Sequence, residues 1–439
     1  MKIAMIGGGY VGLVSGACFA DLGVDVCVVE RDPAKLALLL DGKMPIYEPG
    51  LERLVHENVA AGRLSFTGDL PTAVSGVEAV FIAVGTPTRR GDGHADVSYV
   101  NAAAEQVALA LTDYAVIVTK STVPVGTGRR IAEIVKHARP DLAFDVASNP
   151  EFLREGSAIG DFMRPDRVVI GTQSARAQEV LRRLYRPLNL IETPILFTAI
   201  ETAELTKYAA NSFLAMKVTF INEMADLCEK VGADVHDVAR GIGLDGRIGR
   251  KFLHPGPGFG GSCFPKDTLA LARIAQDWGA PSRLVETTVA VNEARKAGMA
   301  ARVVAACGGS VRGKTIAVLG LTFKPETDDM RDSPSLPVVH RLVEEGAIIR
   351  AFDPEGMEAA KPMLPSQVVF CAGAAEALAG ADAMVLITEW NEFRALAPDM
   401  LATALRDKTV VDLRNVFEPA EMTAAGLHYV AVGRPTKAA

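Results

Sequence analysis

Cysteine is scarce and unpatterned in this 439-residue chain. Its six copies, Cys18, Cys27, Cys228, Cys263, Cys307 and Cys371, fall at no spacing that suits a disulfide framework or a zinc site. The seven histidines show no paired spacing either, so no metal is expected. No uninterrupted apolar run reaches bilayer-spanning length, and no basic-then-apolar leader precedes the first strand-like run, Lys2 to Ile6. The chain is therefore expected in the cytoplasm. An excess of positive charge is missing too: the net charge is −7, which argues against a nucleic-acid footprint. What is present is ordinary, 49% hydrophobic and 23% charged residues, and this length predicts two or three globular domains with ample core.

The first informative stretch is at the start. Ile3 to Ile6 is a buried-strand run, followed at once by Gly7-Gly8-Gly9-Tyr10-Val11-Gly12, a G-x-G-x-x-G pattern. A small-residue helix from Leu13 to Ala20 comes next, then a second apolar run, Val24 to Val29, that ends in Glu30. Strand, glycines, helix, strand and acid in this order predict dinucleotide binding. Gly7 permits the tight turn, Gly9 lets backbone approach a pyrophosphate, Gly12 allows close helix packing, and the helix N-terminus faces the phosphates. Glu30 would accept from a ribose diol and repel a 2′-phosphate, so NAD is expected rather than NADP. Three further strand ends run into polar stretches: Gly85-Thr86-Pro87, Ser121-Thr122-Val123-Pro124, and Asn149-Pro150-Glu151-Phe152-Leu153-Arg154-Glu155. Ligands in open α/β sheets sit at the carboxyl ends of strands, so these should converge on one crevice.

From about Ala199 the period becomes helical. Apolar residues recur at three- and four-residue steps to Leu227, with Gly232 as the stop, and Lys207 and Asn211 share one face. Such a long helix reads as a spine and a dimer surface. A basic glycine-rich loop with Arg247, Arg250 and Lys251 follows, suited to an anionic ligand. Then comes Pro257-Gly258-Phe259-Gly260-Gly261-Ser262-Cys263-Phe264-Pro265-Lys266-Asp267, with four glycines among the six residues from Gly256 to Gly261. Pro265 marks a helix start. Cys263 therefore lies beside a helix N-terminus, where thiolate is favoured, with Lys266 as a nearby cation. A second helical region should run from about Thr268 past Lys296. Beyond Gly308-Gly309, the strand-like runs Thr315–Leu319, Ile348–Phe352, Ala383–Thr388 and Thr409–Arg414 predict a second α/β domain. Gly320-Leu321-Thr322-Phe323-Lys324 stands where its phosphate loop would be, without the second and third glycines. Lys324, Arg331 and Arg414 suggest a nucleotide-type anion there. The expected fold is α/β: two Rossmann-like domains, the second degenerate, joined by a long central helix and a helical middle region. The boundaries are 1–197, 198–300 and 310–439.

Taken together, these motifs resemble the UDP-glucose 6-dehydrogenase family, from Met1 to about Pro419. The resemblance implies four-electron oxidation of a nucleotide-sugar CH2OH to a carboxylate, UDP-glucose to UDP-glucuronate, with two NAD per turnover. It makes Cys263 the nucleophile that carries thiohemiacetal and thioester, Lys207 and Asn211 the stabilisers of alkoxide and oxyanion, Thr122 and Asp267 the water-positioning and proton-relay pair, and Glu151 an acid/base. It places NAD on Gly7, Gly9, Tyr10, Val11, Gly12, Glu30, Lys35, Thr86, Thr122, Glu155, Lys266 and Arg331. The nucleotide sugar falls on Glu151, Phe152, Leu153, Arg154, Glu155, Lys207, Asn211, Phe252, Leu253, His254, Pro255, Gly256, Gly260, Lys324 and Arg414. Arg247 would reach the neighbouring site of a homodimer. The glycines before Cys263 are read as room for the sugar ring. His254 departs from the family, where lysine is common. GDP-mannose or another nucleotide sugar is the alternative substrate, and a non-catalytic NAD sensor the alternative class.

Overall fold

The computed structural model of the protein describes residues 1–89 and 91–435. Their strands form two sheets. The first has eight: β1 (Lys2–Ile6), β2 (Asp25–Val29), β3 (Leu64–Thr67), β4 (Ala79–Ile82), β5 (Ala115–Thr119), β6 (Phe144–Ser148), β7 (Val168–Gly171) and β8 (Ile195–Thr198), in the order β3-β2-β1-β4-β5-β6-β7-β8. Neighbours are parallel except at β6–β7, which meet antiparallel at Ser148 and Gly171. The second has six: β9 (Thr315–Leu319), β10 (Ile348–Phe352), β11 (Val369–Phe370), β12 (Ala383–Leu386), β13 (Thr409–Asp412) and β14 (His428–Ala431), all parallel, in the order β11-β10-β9-β12-β13-β14. Both follow the doubly wound order expected of dinucleotide-type domains. Contacts divide the chain into two compact units, Met1–Ala210 with Arg273–Ala280, and Asn211–Ala272 with Pro281–Ala439.

The strands read as continuous apolar runs because both faces of each sheet are covered. In β1, Ile3 and Met5 join a core with Leu13, Phe19 and Phe81, while Ala4 and Ile6 join another with Ile82, Val100 and Ile117. Fully burying each large side chain of this kind contributes roughly 1.5–3 kcal/mol. The second sheet likewise has one core around Ile316, Val318 and Val385 and another around Leu319, Met384 and Phe393.

The long helix is Ile200–Val231, 32 residues or about 48 Å of rise. It stops where Gly232 takes a left-handed conformation, φ +79°. The helical region expected from about Thr268 past Lys296 is present and consists of two helices, Phe264–Asp277 and Arg283–Ala306. Gly279 turns left-handed (φ +67°) and Pro281 follows, so the chain cannot carry one helix through. No helix among the described residues is long and apolar enough to cross a membrane.

Candidate active site

In the first unit, β1 delivers the chain into a turn that only glycines can make. Gly7 has φ +110°, and a Cβ at Gly12 would stand 1.9 Å from the Gly7 carbonyl oxygen. Gly9 caps the helix Tyr10–Asp21 without a side chain, and a Cβ there would meet nothing within 4 Å. The first turn of that helix therefore presents its unpaired amides to open space, a cradle that fits the pyrophosphate of a dinucleotide. Glu30, buried at the end of β2, accepts from Gly8 N at 3.1 Å and Asp32 N at 2.8 Å, which holds the carboxylate beside the glycine loop. Val11 is half-buried, and Lys35 is exposed on the helix Pro33–Leu40.

The polar strand ends converge as expected. Thr86 Oγ1 donates to Thr122 O at 2.9 Å. Glu151 is buried, with one oxygen accepting Leu153 N at 2.5 Å and the other Lys207 Nζ at 3.0 Å. The Lys207 side chain is 3% exposed and also stands 5.4 Å from the Phe152 ring, whose centroid lies 3.7 Å from the Arg167 guanidinium. Glu151 is an ion-pair partner of this desolvated lysine. Leu153 and Glu155 are half-buried, whereas Arg154 is exposed and forks onto Asp161.

Two residues supporting these strand ends escaped the sequence reading. Lys120, at the end of β5, is buried, and burial pushes its ammonium down to about 8. It donates to Asn149 Oδ1 at 3.1 Å and to Tyr185 Oη at 3.3 Å, bracing the turn that leads into Glu151. Glu48 accepts from the Tyr10 hydroxyl, from Gly156 N at 2.6 Å and from Ala158 N at 2.7 Å, so it ties the helix start at Tyr10 to the turn after Glu155. Neither contact has a spacing signal, because the partners lie 29 or more residues apart.

In the second unit, Cys263 immediately precedes the helix Phe264–Asp277. It is half-buried, while the other five cysteines are buried. Asp267, one turn into that helix and 1% exposed, accepts from Asn211 Nδ2 at 2.6 Å and Lys266 Nζ at 2.6 Å. The Pro257–Ser262 loop is held by the helix Arg283–Ala306: buried Asn292 accepts Phe259 N at 2.8 Å and donates to Phe259 O at 3.0 Å. Arg295 Nε donates to Gly256 O at 2.7 Å, and Asn222 Oδ1 accepts Gly256 N at 2.8 Å.

The reading of the glycines as room for a sugar ring needs correction at three positions. A Cβ at Gly258 would meet Lys296 Cγ at 2.8 Å, one at Gly260 the Asp332 carbonyl at 2.3 Å, and one at Gly261 the Phe323 ring at 2.6 Å. These glycines admit the protein's own chain, locking the cysteine loop against the Phe323–Asp332 segment, where Gly261 N donates to Arg331 O at 2.8 Å. Upstream, Phe252 is left-handed at φ +64°, Leu253, Pro255 and Gly256 are buried, and His254 is exposed. Such a conformation in a bulky residue is a strain held by its surroundings.

Arg414 donates to Ile387 O at 2.7 Å and Phe323 O at 2.8 Å, and a Cβ at Gly256 would stand 3.1 Å from its Nη1. Lys324 is half-buried with Nζ 5.5 Å from the Phe323 ring, and Arg331 is exposed and forked onto Asp329. Arg247 is 90% exposed, paired with Asp245 of its own loop. Among the described residues no group of three or more His, Cys, Asp or Glu could hold a metal ion.

Three family models match the chain in order: the NAD binding domain of the UDP-glucose/GDP-mannose dehydrogenase family over residues 1–189, its central domain over 201–294, and its UDP binding domain over 317–419. The chain is 60% identical to UDP-glucose 6-dehydrogenase of Rhizobium meliloti (strain 1021), covering 99% of this chain and 100% of that protein. It is 47% identical to UDP-glucose 6-dehydrogenase TuaD of Bacillus subtilis (strain 168), covering 99% and 93%. Among solved structures, a UDP-glucose dehydrogenase from Pyrobaculum islandicum superposes with TM-score 0.90 at 39% identity, covering 99% of this chain and 98% of that one. A GDP-mannose dehydrogenase from Pseudomonas aeruginosa gives TM-score 0.55 at 30% identity, covering 98% and 99%.

Proposed function

Because the chain belongs to the UDP-glucose/GDP-mannose dehydrogenase family, we propose that it oxidises the C6 hydroxymethyl of UDP-glucose to the carboxylate of UDP-glucuronate. The observation that carries this reading is a partly accessible cysteine at a helix start, in a chain that also has a dinucleotide cradle and a desolvated Lys207–Glu151 pair. The likeness to the UDP-glucose enzyme exceeds that to the GDP-mannose enzyme, which favours UDP-glucose over GDP-mannose.

NAD+ would be held by the Gly7–Gly12 turn, Glu30 and Thr86, and when bound would supply the hydride acceptor for both oxidations, two molecules per turnover. The chain's own groups do the rest. Glu151 takes the proton from the C6 hydroxyl, and Lys207 stabilises the alkoxide that results. Once the carbon is an aldehyde, the Cys263 thiolate adds to it, forming a C–S bond and a tetrahedral alkoxide that Lys207 and Asn211 stabilise. The second oxidation turns that carbon into a thioester. Water oriented by Thr122 and deprotonated through Asp267 adds to it, the C–S bond breaks, and the carboxylate leaves with Cys263 restored as thiolate. Holding the aldehyde as a thiohemiacetal keeps it from escaping between oxidations.

The assembly we propose is a cytoplasmic homodimer in which Arg247 reaches the neighbouring site. Supporting this, Phe213, Phe220 and Leu227 stand exposed at seven-residue steps on the spine helix, at 58%, 48% and 50%. The test of the covalent role is Cys263→Ser. Uronate production should be lost while UDP-glucose binding stays intact, and unimpaired uronate production would refute that role.

A further inference from the structure

Glu204, on the spine helix one turn before Lys207, is a buried carboxylate with no part in the steps above. It is 2% exposed. Its Oε2 accepts Gly126 N at 2.7 Å and its Oε1 accepts Gly128 N at 2.7 Å. These amides open the helix Thr127–Ala138, whose N-cap is Gly126, left-handed at φ +95° and without a side chain to cap anything. The usual local Ser or Asp cap is replaced by an acid from 76 to 78 residues away. The approach requires glycine on the other side as well, since a Cβ at Gly128 would meet Ile200 Cγ2 at 2.4 Å and Glu204 Oε1 at 3.3 Å. The loop that ends at Gly126 begins at Ser121-Thr122, where Ser121 Oγ donates to Val84 O at 2.6 Å and Thr86 holds the Thr122 carbonyl.

We infer that Glu204 is a positioning residue for the proposed reaction: it pins the Ser121–Gly126 loop, and with it Thr122, to the turn of the spine helix that carries Lys207. The inference rests on the reading of Thr122 as a group that orients the hydrolytic water. Loosening the pin therefore slows thioester hydrolysis more than either oxidation.

Stability and function pull apart at this residue. Burial raises the Glu204 carboxyl to about 7. The charged groups facing it are Glu201 on its own helix and Arg129 on the capped helix, where Arg129 Nε lies 2.9 Å from Glu201 Oε1. A carboxyl raised in this way binds its proton more tightly folded than unfolded. Its contribution to stability is therefore full below the unfolded value, near 4.5, and is lost as pH rises through about 7. Only the ionised form offers both oxygens as acceptors without a proton in the way.

The experiment is Glu204→Gln at pH 8. The variant should melt no lower than the wild type, because the neutral amide escapes the burial cost. Its kcat should fall about tenfold with KM for UDP-glucose within about twofold, one lost charge-assisted bond being the cause. Its first burst of two NADH per site should be preserved, and intact-protein mass spectrometry during turnover should show the UDP-glucuronyl thioester on Cys263. Unchanged kcat would overturn the inference, and so would equal slowing of all steps with no covalent species. If Glu204→Gln fails to fold, Gly126→Ala loosens the same contact from the loop side, by forcing a side chain into a left-handed position, and faces the same two outcomes. Wild-type uronate yield, measured alongside, separates a failure of this inference from a failure of the reaction it serves.

Discussion

In the first sheet the chain leaves β1 at Gly7 and enters a helix at Tyr10. In the second it leaves β9 at Gly320, also left-handed (φ +87°), and reaches its helix only at Ser335. The two sheets share one strand order, and each second strand ends beside an acid, Glu30 or Asp353. Glu30 spends its oxygens on two local amides. Asp353, fully buried, accepts from Leu321 N, Thr322 N, Thr322 Oγ1 and Trp390 Nε1 on one oxygen and from Glu355 N and Gly356 N on the other. Near the second helix start, Ser333 and Ser335 both donate to Leu321 O, at 2.6 and 2.5 Å. One topology thus yields a helix end open to a ligand in one sheet and a loop folded onto itself in the other. The difference lies in the residues after the first strand, not in the fold.

The severest way to break that contrast is Gly12→Ala. A Cβ 1.9 Å from the Gly7 carbonyl must open the turn, so NAD binding by calorimetry and NADH formation should both be lost, on the order of a thousandfold in kcat/KM for NAD. Normal NAD affinity in this variant would show that the cradle is not where the dinucleotide sits.

The same contrast explains what could be read from the sequence. Gly7 to Gly12 and Glu30 were legible because the turn, the helix start and the acid are encoded within one contiguous unit. Cys263 at a helix start was legible for the same reason, with Pro265 two residues on. Asn292, Arg295 and Asn222, which hold the cysteine loop, were not. Nor were Glu48 and Lys120. All act across folds of the chain that leave no periodic mark. Gly258, Gly260 and Gly261 show a subtler loss: glycine announces a close approach but not what approaches, and here it is Lys296, Asp332 and Phe323. The break between Asp277 and Arg283 is marked in the sequence by Gly279 and Pro281.

A paired substitution sharpens the comparison at intermediate size. Glu30→Ala should raise KM for NAD about tenfold and admit NADP, with KM for UDP-glucose unchanged. Lys324→Ala should raise KM for UDP-glucose about tenfold with KM for NAD unchanged. Steady-state kinetics with each substrate varied checks both, and crossed effects would contradict the division of binding between the two sheets.

The smallest expected effect concerns the charge each sheet buries. The first buries Lys120, lowered to about 8, while the second buries Asp412, whose carboxyl is raised by burial. A lysine lowered from 10.5 to about 8 leaves the folded state binding fewer protons than the unfolded state between those values, so this group adds stability as pH rises through that window. Lys120→Met should flatten the melting temperature between pH 8 and 10 relative to wild type, by a few degrees at most. An identical slope in both proteins would mean that Lys120 does not titrate as its burial implies.

In the proposed reaction one cysteine carries one substrate through two oxidations. The direct measurement is the yield of NADH per UDP-glucose consumed, with the sugar product identified. Two NADH and one UDP-glucuronate per UDP-glucose is the expected result. One NADH with free aldehyde, or no NADH from any nucleotide sugar, would contradict it.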